Sequence, residues 1–357
     1  IIQQARIRWI QGDSAAAERL LSKLLAETPG AVNPQLLMEA YNLRALLLEA
    51  LGDRPAARRA YQQAEGILQG LPHATEARIQ LLMNQAILSA AEADYAHAAV
   101  QYETAIALAH ERVGSKHPFY SVLLNNHASL LLRMRHYERA YRELDSVYAV
   151  GATLENPKSR DGFLDGHTVA ALLSGHALAA LQSSIKRLEA LAALAPKARE
   201  AVAPGYAQQT AWLLFELGEY ELAAAFADRA DWTQPRADVA RIVALITAEM
   251  SGRTIALKPA DIQSECQRLQ YGLLRAALLA GPRPAGDRMP KDCSVQVAAR
   301  LQAMGVPPAA DLDRDVATRV ADQSPLVRRV LGAAVEPVAT EQQRERLRAL
   351  LVELSPD

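Results

Sequence analysis

Eight histidines, two cysteines and the triplet Gly12-Asp13-Ser14 are the residues of this 357-residue chain whose types invite chemistry. A helical zinc pair needs two histidines one turn apart with a glutamate between them. His110 is followed by Glu111, but Gly114 occupies the place of the second ligand, and His167 and His176 are nine apart, which does not stack them on adjacent turns. Two cysteines are too few for a structural zinc site. The Gly12-Asp13-Ser14 triplet resembles the surroundings of a serine nucleophile, yet no G-x-S-x-G elbow exists. Nor is there a phosphate loop around Gly114, Ser115 and Lys116, or a G-x-G-x-x-G after a strand. No catalytic residue, metal or cofactor is therefore assigned, and the expectation is a protein that is not an enzyme.

Cys266 and Cys293 are spaced to form one disulfide around a Pro- and Gly-rich loop, with two buried reduced thiols as the alternative. The chain is expected to be soluble and cytoplasmic, with a periplasmic or extracytoplasmic location, which the bridge would fit, as the alternative. The longest apolar stretch, Thr168 to Leu181, is interrupted by Ser174 and His176 and falls short of the ~18 residues of a membrane span. The chain begins with Ile1, which leaves open a signal, anchor or further domain upstream.

The elements that position these residues follow from composition. Half of the chain is hydrophobic but only 5% is aromatic, so the apolar content is mostly Ala and Leu, which favours packed helices over sheet. With 39 basic and 40 acidic residues the net charge is -1, and no long basic stripe is available to track phosphates, which argues against nucleic-acid binding. The most basic segment, Arg133 to Arg142, also carries Glu138 and reads as a solvated helix face.

A repeat organises the helices. Gly52-Asp53-Arg54 followed by Ala57, Tyr61 and Ala64 recurs as Ala93-Asp94-Tyr95 with Ala98, Tyr102 and Ala105, as Arg135-His136-Tyr137 with Ala140, and as Gly218-Glu219-Tyr220 with Ala223 and Ala227. The first copy is Gly12-Asp13-Ser14 with Ala17 and Leu21, closing on Pro29; the Gly218 copy closes on Pro235. A small residue also precedes each corner by seven: Ala5, Ala45, Ala86, Ala128 and Ala211. The pattern is that of a helical hairpin, with a tight corner and small residues where two helices approach most closely.

These spacings resemble the tetratricopeptide repeat family. The corners at Ser14, Arg54, Tyr95 and Tyr137 are 40, 41 and 42 residues apart, longer than the usual 34-residue unit and similar to repeats of the kinesin light chain type. The resemblance implies an all-α solenoid of antiparallel hairpins in a right-handed superhelix. It also implies a concave groove that binds peptide or protein, with asparagines clamping the peptide backbone at Asn84, Asn125 and Asn126.

The residues themselves place further polar groups on that groove. Asn42, Asn84, Asn125, Asn126, Gln208 and Gln209 precede the small Ala of their first helices by two or three positions, as does Gln3. Carboxamides offer both donors and an acceptor to an extended backbone; tolerated solvated side chains are the other reading. Trp212 offers an apolar anchor, Phe215 is assigned to the core, and Arg133 would add a cation for an acidic ligand unless it is simply solvated.

Three segments are expected: four repeats over 1–150, a degenerate repeat plus one regular repeat over 151–235, and a helical cap or continuation over 236–357. Gly151 to Gly166 reads as a loop, and Thr168 to Leu194 as helices that have lost the corner signature. In the last segment helices are expected at Ala237–Met250, Asp261–Leu279, Ser294–Met304 and Thr340–Leu354, with a linker at Gly281–Lys291. The function expected is a scaffold or adaptor for a protein or peptide, with self-association possible. The alternative is the sensory or partner-binding region of a larger bacterial signalling protein, a membrane-anchored kinase or a transcription regulator. An enzyme with a pocket at the array/tail junction is the third reading.

Overall fold

The computed structural model describes residues 1–27, 33–71, 73–232, 237–280, 289–290, 292–307, 324–331 and 338–354. Pro29, Pro235 and most of the expected linker Gly281–Lys291 lie outside them. Among the described residues the chain is helical and has no strand. It divides into two compact units, one of Ile1–Met134 with Ser146–Gly151, the other of Arg135–Asp145 with Ala152–Asp357.

The first unit contains α1 (Ile2–Ile10), α2 (Ser14–Glu27), α3 (Pro34–Ala50), α4 (Arg54–Gln69), α5 (Thr75–Ala91), α6 (Tyr95–Val113) and α7 (Pro118–Arg133). Helix α8 (Tyr137–Ser146) falls almost wholly in the second unit, and the single turn α9 (Tyr148–Gly151) in the first. The second continues with α10 (Pro157–Leu173), α11 (Ala177–Ala192), α12 (Pro196–Leu217), α13 (Tyr220–Ala227) and α14 (Asp238–Met250). A 3₁₀ turn at Pro259–Asp261, α15 (Glu265–Leu278), α16 (Val295–Ala303), α17 (Pro325–Val330) and α18 (Glu341–Glu353) follow.

The repeat corner has a simple cause. Gly12, Gly52 and Gly218 sit at φ of +88°, +85° and +83°, the left-handed region that ends a helix. Around Gly52 the amide of Asp53 donates to Leu48 O and that of Gly52 to Glu49 O, the paired bonds of a Schellman cap. The next residue then opens the second helix: Asp13, Asp53 and Asp94 accept from the amides of Ala16, Ala56 and His97. One glycine and one aspartate thus stop a helix and start another. Ala93 and Arg135 take the same conformation at φ of 63° and 64° without being glycine. On either side of the corners, Ala5, Ala45, Ala86 and Ala211 and the partners Ala17, Ala57, Ala98, Ala140 and Ala223 are fully buried, so helix backbones touch there.

Two expectations are corrected. Gly151 to Gly166 is not a loop over most of its length, because Asn156 caps α10 through Ser159 N and Pro157 fills its first position. Gly162 and Gly166 sit inside that helix. Nor has Thr168 to Leu194 lost its corner: Gly175 stands at φ +85°, His176 N donates to Ala171 O, and Ala180, five after the glycine, is fully buried. The small residue seven before is replaced by Thr168, and His176, in the place of the capping aspartate, makes no side-chain cap.

In the first unit α1, α3, α5 and α7 lie side by side, and each hairpin packs on the next through its own core, such as Ala45, Ala57, Tyr61, Leu81 and Leu88. The second unit has one continuous core from Ala171 through Phe215, Phe226 and Ile246 to Leu350. In the end segment, α18 packs on α11 and α13. Its start is a capping box of Thr340 and Gln343. Helices also occupy the other three expected stretches of this segment, with α15 beginning after the 3₁₀ turn, at Glu265.

Candidate functional site

On the first-helix face of the N-terminal unit, the repeat step brings side chains of neighbouring helices together. Asn84 Nδ2 donates to Asn42 Oδ1 at 3.1 Å, and Asn126 Nδ2 to Met83 Sδ at 3.4 Å. Both bonds join the residue two before one repeat's small Ala to the residue three before the preceding repeat's. Asn84 is only 5% exposed, which corrects its expected role: it does not face an open groove but fixes Asn42. Asn125 and Asn126 are half-buried, and Asn125 Oδ1 is enclosed without a hydrogen-bond partner among the described residues.

Asn42 lines a cavity of ≈ 410 Å³ bordered by α1, α3 and α5. Trp9, Ile10, Met38, Leu43 and Leu46 supply apolar lining, and Gln35 and Gln80 supply carboxamides beside Asn42. Ile10 is 84% exposed, so an apolar surface stands open at the edge of the cavity. Its charged residues are largely matched, Glu39 with Arg6 at 3.7 Å and Glu76 with Arg112 at 3.5 Å. Gln35, Gln80 and Trp9 were missed in the sequence because no repeat partner marks them. Arg133 is exposed at the end of α7.

Gln208, Gln209 and Trp212 belong to the second unit and the asparagines to the first. Gln209 Oε1 accepts from Arg187 Nη1 at 2.9 Å, and Arg187, 8% exposed, also binds Asp161 (2.9 Å) and Asp165 (2.6 Å). Its guanidinium lies 4.6 Å from the Tyr206 ring centroid. Burial, with a hydrogen bond to Asp161, pushes the Tyr206 phenol up to about 12, so it is a donor at neutral pH. Trp212 is not a free anchor either: the Arg300 guanidinium lies over its ring at 5.2 Å and Phe215 packs beside it at 5.8 Å. Phe215 is fully buried.

Serine, histidine and aspartate do meet in this unit. Ser183 Oγ lies 2.8 Å from His167 Nδ1, and His167 Nε2 lies 3.6 Å from Asp145. Ser183 is fully buried and His167 is 1% exposed, so no substrate carbonyl can reach the hydroxyl. The residues tie α8, α10 and α11 together. Cys266 and Cys293 are joined in a disulfide. Asp292 beside it accepts from Ser264 Oγ at 2.7 Å and from Cys266 N at 3.1 Å, anchoring the start of α15. The bridged sulfurs leave no thiolate for a metal.

No protein-family model matches the chain, and no curated protein matches it. Among solved structures, the apo form of the quorum sensor NprR from B. thuringiensis is similar over 99% of this chain and 97% of its own, at TM-score 0.54 and 9% identity. The chain has a tetratricopeptide-type repeat fold. Also similar are PilF of Pseudomonas aeruginosa, at 18% identity and TM-score 0.48 over 70% of this chain and 95% of that one, and BtubC (BKLC) from P. vanneervenii, at 15% and 0.43 over 79% and 96%. Within the tetratricopeptide-type fold, no helix among the described residues is long and apolar enough to cross a membrane.

Proposed function

We propose that this chain is a non-catalytic binding module that receives a peptide or protein segment on the first-helix face of its N-terminal unit. The observation that carries the reading is the cavity between α1, α3 and α5, into which Asn42 is held by the buried Asn84. The Asn84 bond occupies one lone pair of Asn42 Oδ1, so the Nδ2 donors remain for a partner's backbone carbonyl. Trp9, Ile10 and Leu46 offer an apolar seat for one side chain, and aromatic residues in such positions carry much of the energy of binding. The burial of Ser183 keeps this hydroxyl from serving as a nucleophile.

Peptides selected on the immobilised chain test this by isothermal titration. Asn42→Ala and Trp9→Ala should each weaken a selected peptide at least tenfold, while Trp212→Ala in the other unit should not. Selected peptides that bind both first-unit variants as tightly as the parent would sink the proposal.

The disulfide favours one context for such a module, the partner-binding region of a larger signalling protein in an oxidising compartment. Thiol titration of denatured, unreduced protein taken from its native host decides it. No free thiol supports that context, and two free thiols remove it.

A further inference from the structure

The C-terminal unit has a second cavity, of ≈ 260 Å³ and open to the surface, among α11, α12, α13 and α18. Leu188, Ala207, Phe226 and Leu351 form buried parts of its wall. Pro204 lies inside α12 and lines the cavity. It has no N–H for the carbonyl of Glu200 and its ring crowds that carbonyl, so the helix cannot close normally at this turn. Ala203 and Ala207 on the same stretch are too small to fill the gap.

Two guanidinium groups meet this cavity. Arg229, exposed, donates through Nη1 to Leu351 O at 2.6 Å and Arg199, half-buried, through Nη1 to Ala192 O at 3.4 Å, which leaves most of their five N–H donors unused. One carboxylate, Glu200, stands at the same lining and is exposed. The charge balance is positive by one, which suits a single negative head group and disfavours a dianion.

We infer that this cavity is a binding site for a small amphipathic monocarboxylate, its hydrocarbon part among Leu188, Phe226 and Leu351 and its carboxylate on Arg199 and Arg229. Planar guanidinium forks match a carboxylate in geometry and charge. The volume lies below the roughly 300–1,000 Å³ of sites for drug-sized ligands, so a medium-length acyl chain or a single aromatic ring fits and a long-chain lipid does not. The site belongs to the second unit and does not depend on the peptide reading.

Isothermal titration of the full chain with octanoate, and with octan-1-ol as the uncharged counterpart, tests the inference. Octanoate should bind one to one and at least tenfold tighter than octan-1-ol. Arg199→Gln and Arg229→Gln should each weaken it several-fold. Ala203→Phe, which fills the cavity, should abolish binding without lowering the melting temperature. The inference is overturned by absence of octanoate binding at millimolar concentration, by equal affinity for acid and alcohol, or by undiminished binding to Ala203→Phe. Should Ala203→Phe not fold, unchanged octanoate affinity in both arginine variants overturns it equally.

Discussion

Asn84 Nδ2 donates to Asn42 Oδ1 at 3.1 Å across α5 and α3, from a side chain that is itself buried. A buried carboxamide stripped of its partner costs about 1–3 kcal/mol, whereas the bond itself is worth about 1 kcal/mol net. Asn42→Ala should therefore destabilise the chain in urea unfolding by leaving Asn84 unsatisfied, and Asn84→Ala by opening a void as well. In the double-mutant cycle the pair should couple by about 0.5–1.5 kcal/mol. Strictly additive losses would show that the two carboxamides sit together without helping each other.

The corner glycines separate backbone strain from crowding. Gly52 and Gly218 share the left-handed conformation, but a methyl group on Gly52 would meet open space, whereas on Gly218 it would collide with the Arg329 guanidinium. Arg329 is not idle: its Nη2 donates to Leu217 O at 3.2 Å and its guanidinium lies 5.8 Å from the Tyr220 ring. Gly52→Ala should cost about 1–2 kcal/mol, the price of the left-handed region for a residue with a Cβ. Gly218→Ala should cost clearly more, because it also displaces Arg329. Equal losses in thermal unfolding would mean that Arg329 moves aside freely.

Those corners explain how much was legible in the sequence. The glycine that ends one helix and the aspartate that begins the next are neighbours in the chain, so Gly12-Asp13 and Gly52-Asp53 announce a hairpin directly. Ala93 and Arg135 adopt the same φ against their own preference, so their corners are found through the other parts of the pattern, Asp94 after Ala93 and the buried Ala98 and Ala140 five residues later. Gly175 carried only part of the signal, the glycine and the buried Ala180, because His176 stands in place of the capping acid and Thr168 in place of the small residue, while Gly162 and Gly166 suggested a loop where Asn156 and Pro157 start a helix. The asparagines were correctly placed on first helices, yet sequence cannot tell that one carboxamide takes up another. Pairs such as Glu216 with Arg300 have no repeat relation, so no periodicity points to them.

Glu216 is fully buried, with Arg300 Nη2 2.5 Å from Oε1 and Ser324 Oγ donating to Oε2 at 2.8 Å. Removing one partner of a buried pair leaves an uncompensated charge and costs about 3–5 kcal/mol, while replacing both by apolar residues of similar volume is often neutral or stabilising. Glu216→Ala should therefore be strongly destabilising by chemical denaturation. Glu216→Met with Arg300→Met together should recover most of the loss. If the double variant is as unstable as Glu216→Ala, packing of the ionic groups and not their charge is what α12 and α16 require.

His167 sets a pH dependence whose sign can be worked out. Its imidazole is 1% exposed, faces Ser183 Oγ, Asp145 and the Tyr141 ring, and feels the charge of His176. Burial holds it below its ordinary value of 6.5, and the opposing pull of Asp145 is the weaker influence. The folded chain therefore takes up this proton less readily than the unfolded chain. The stability contributed is fully present above about pH 6.5 and is lost as the pH falls below it. Between about pH 7.5 and about pH 5.5 the melting temperature of the parent should drop more than that of His167→Gln, which keeps a hydrogen-bonding group for Ser183 but cannot titrate. Were the carboxylate of Asp145 the stronger influence, the sign would reverse: the parent would gain on the variant as the solution became acidic. Parallel slopes would mean that His167 does not change its charge on unfolding, and that the acid sensitivity lies elsewhere.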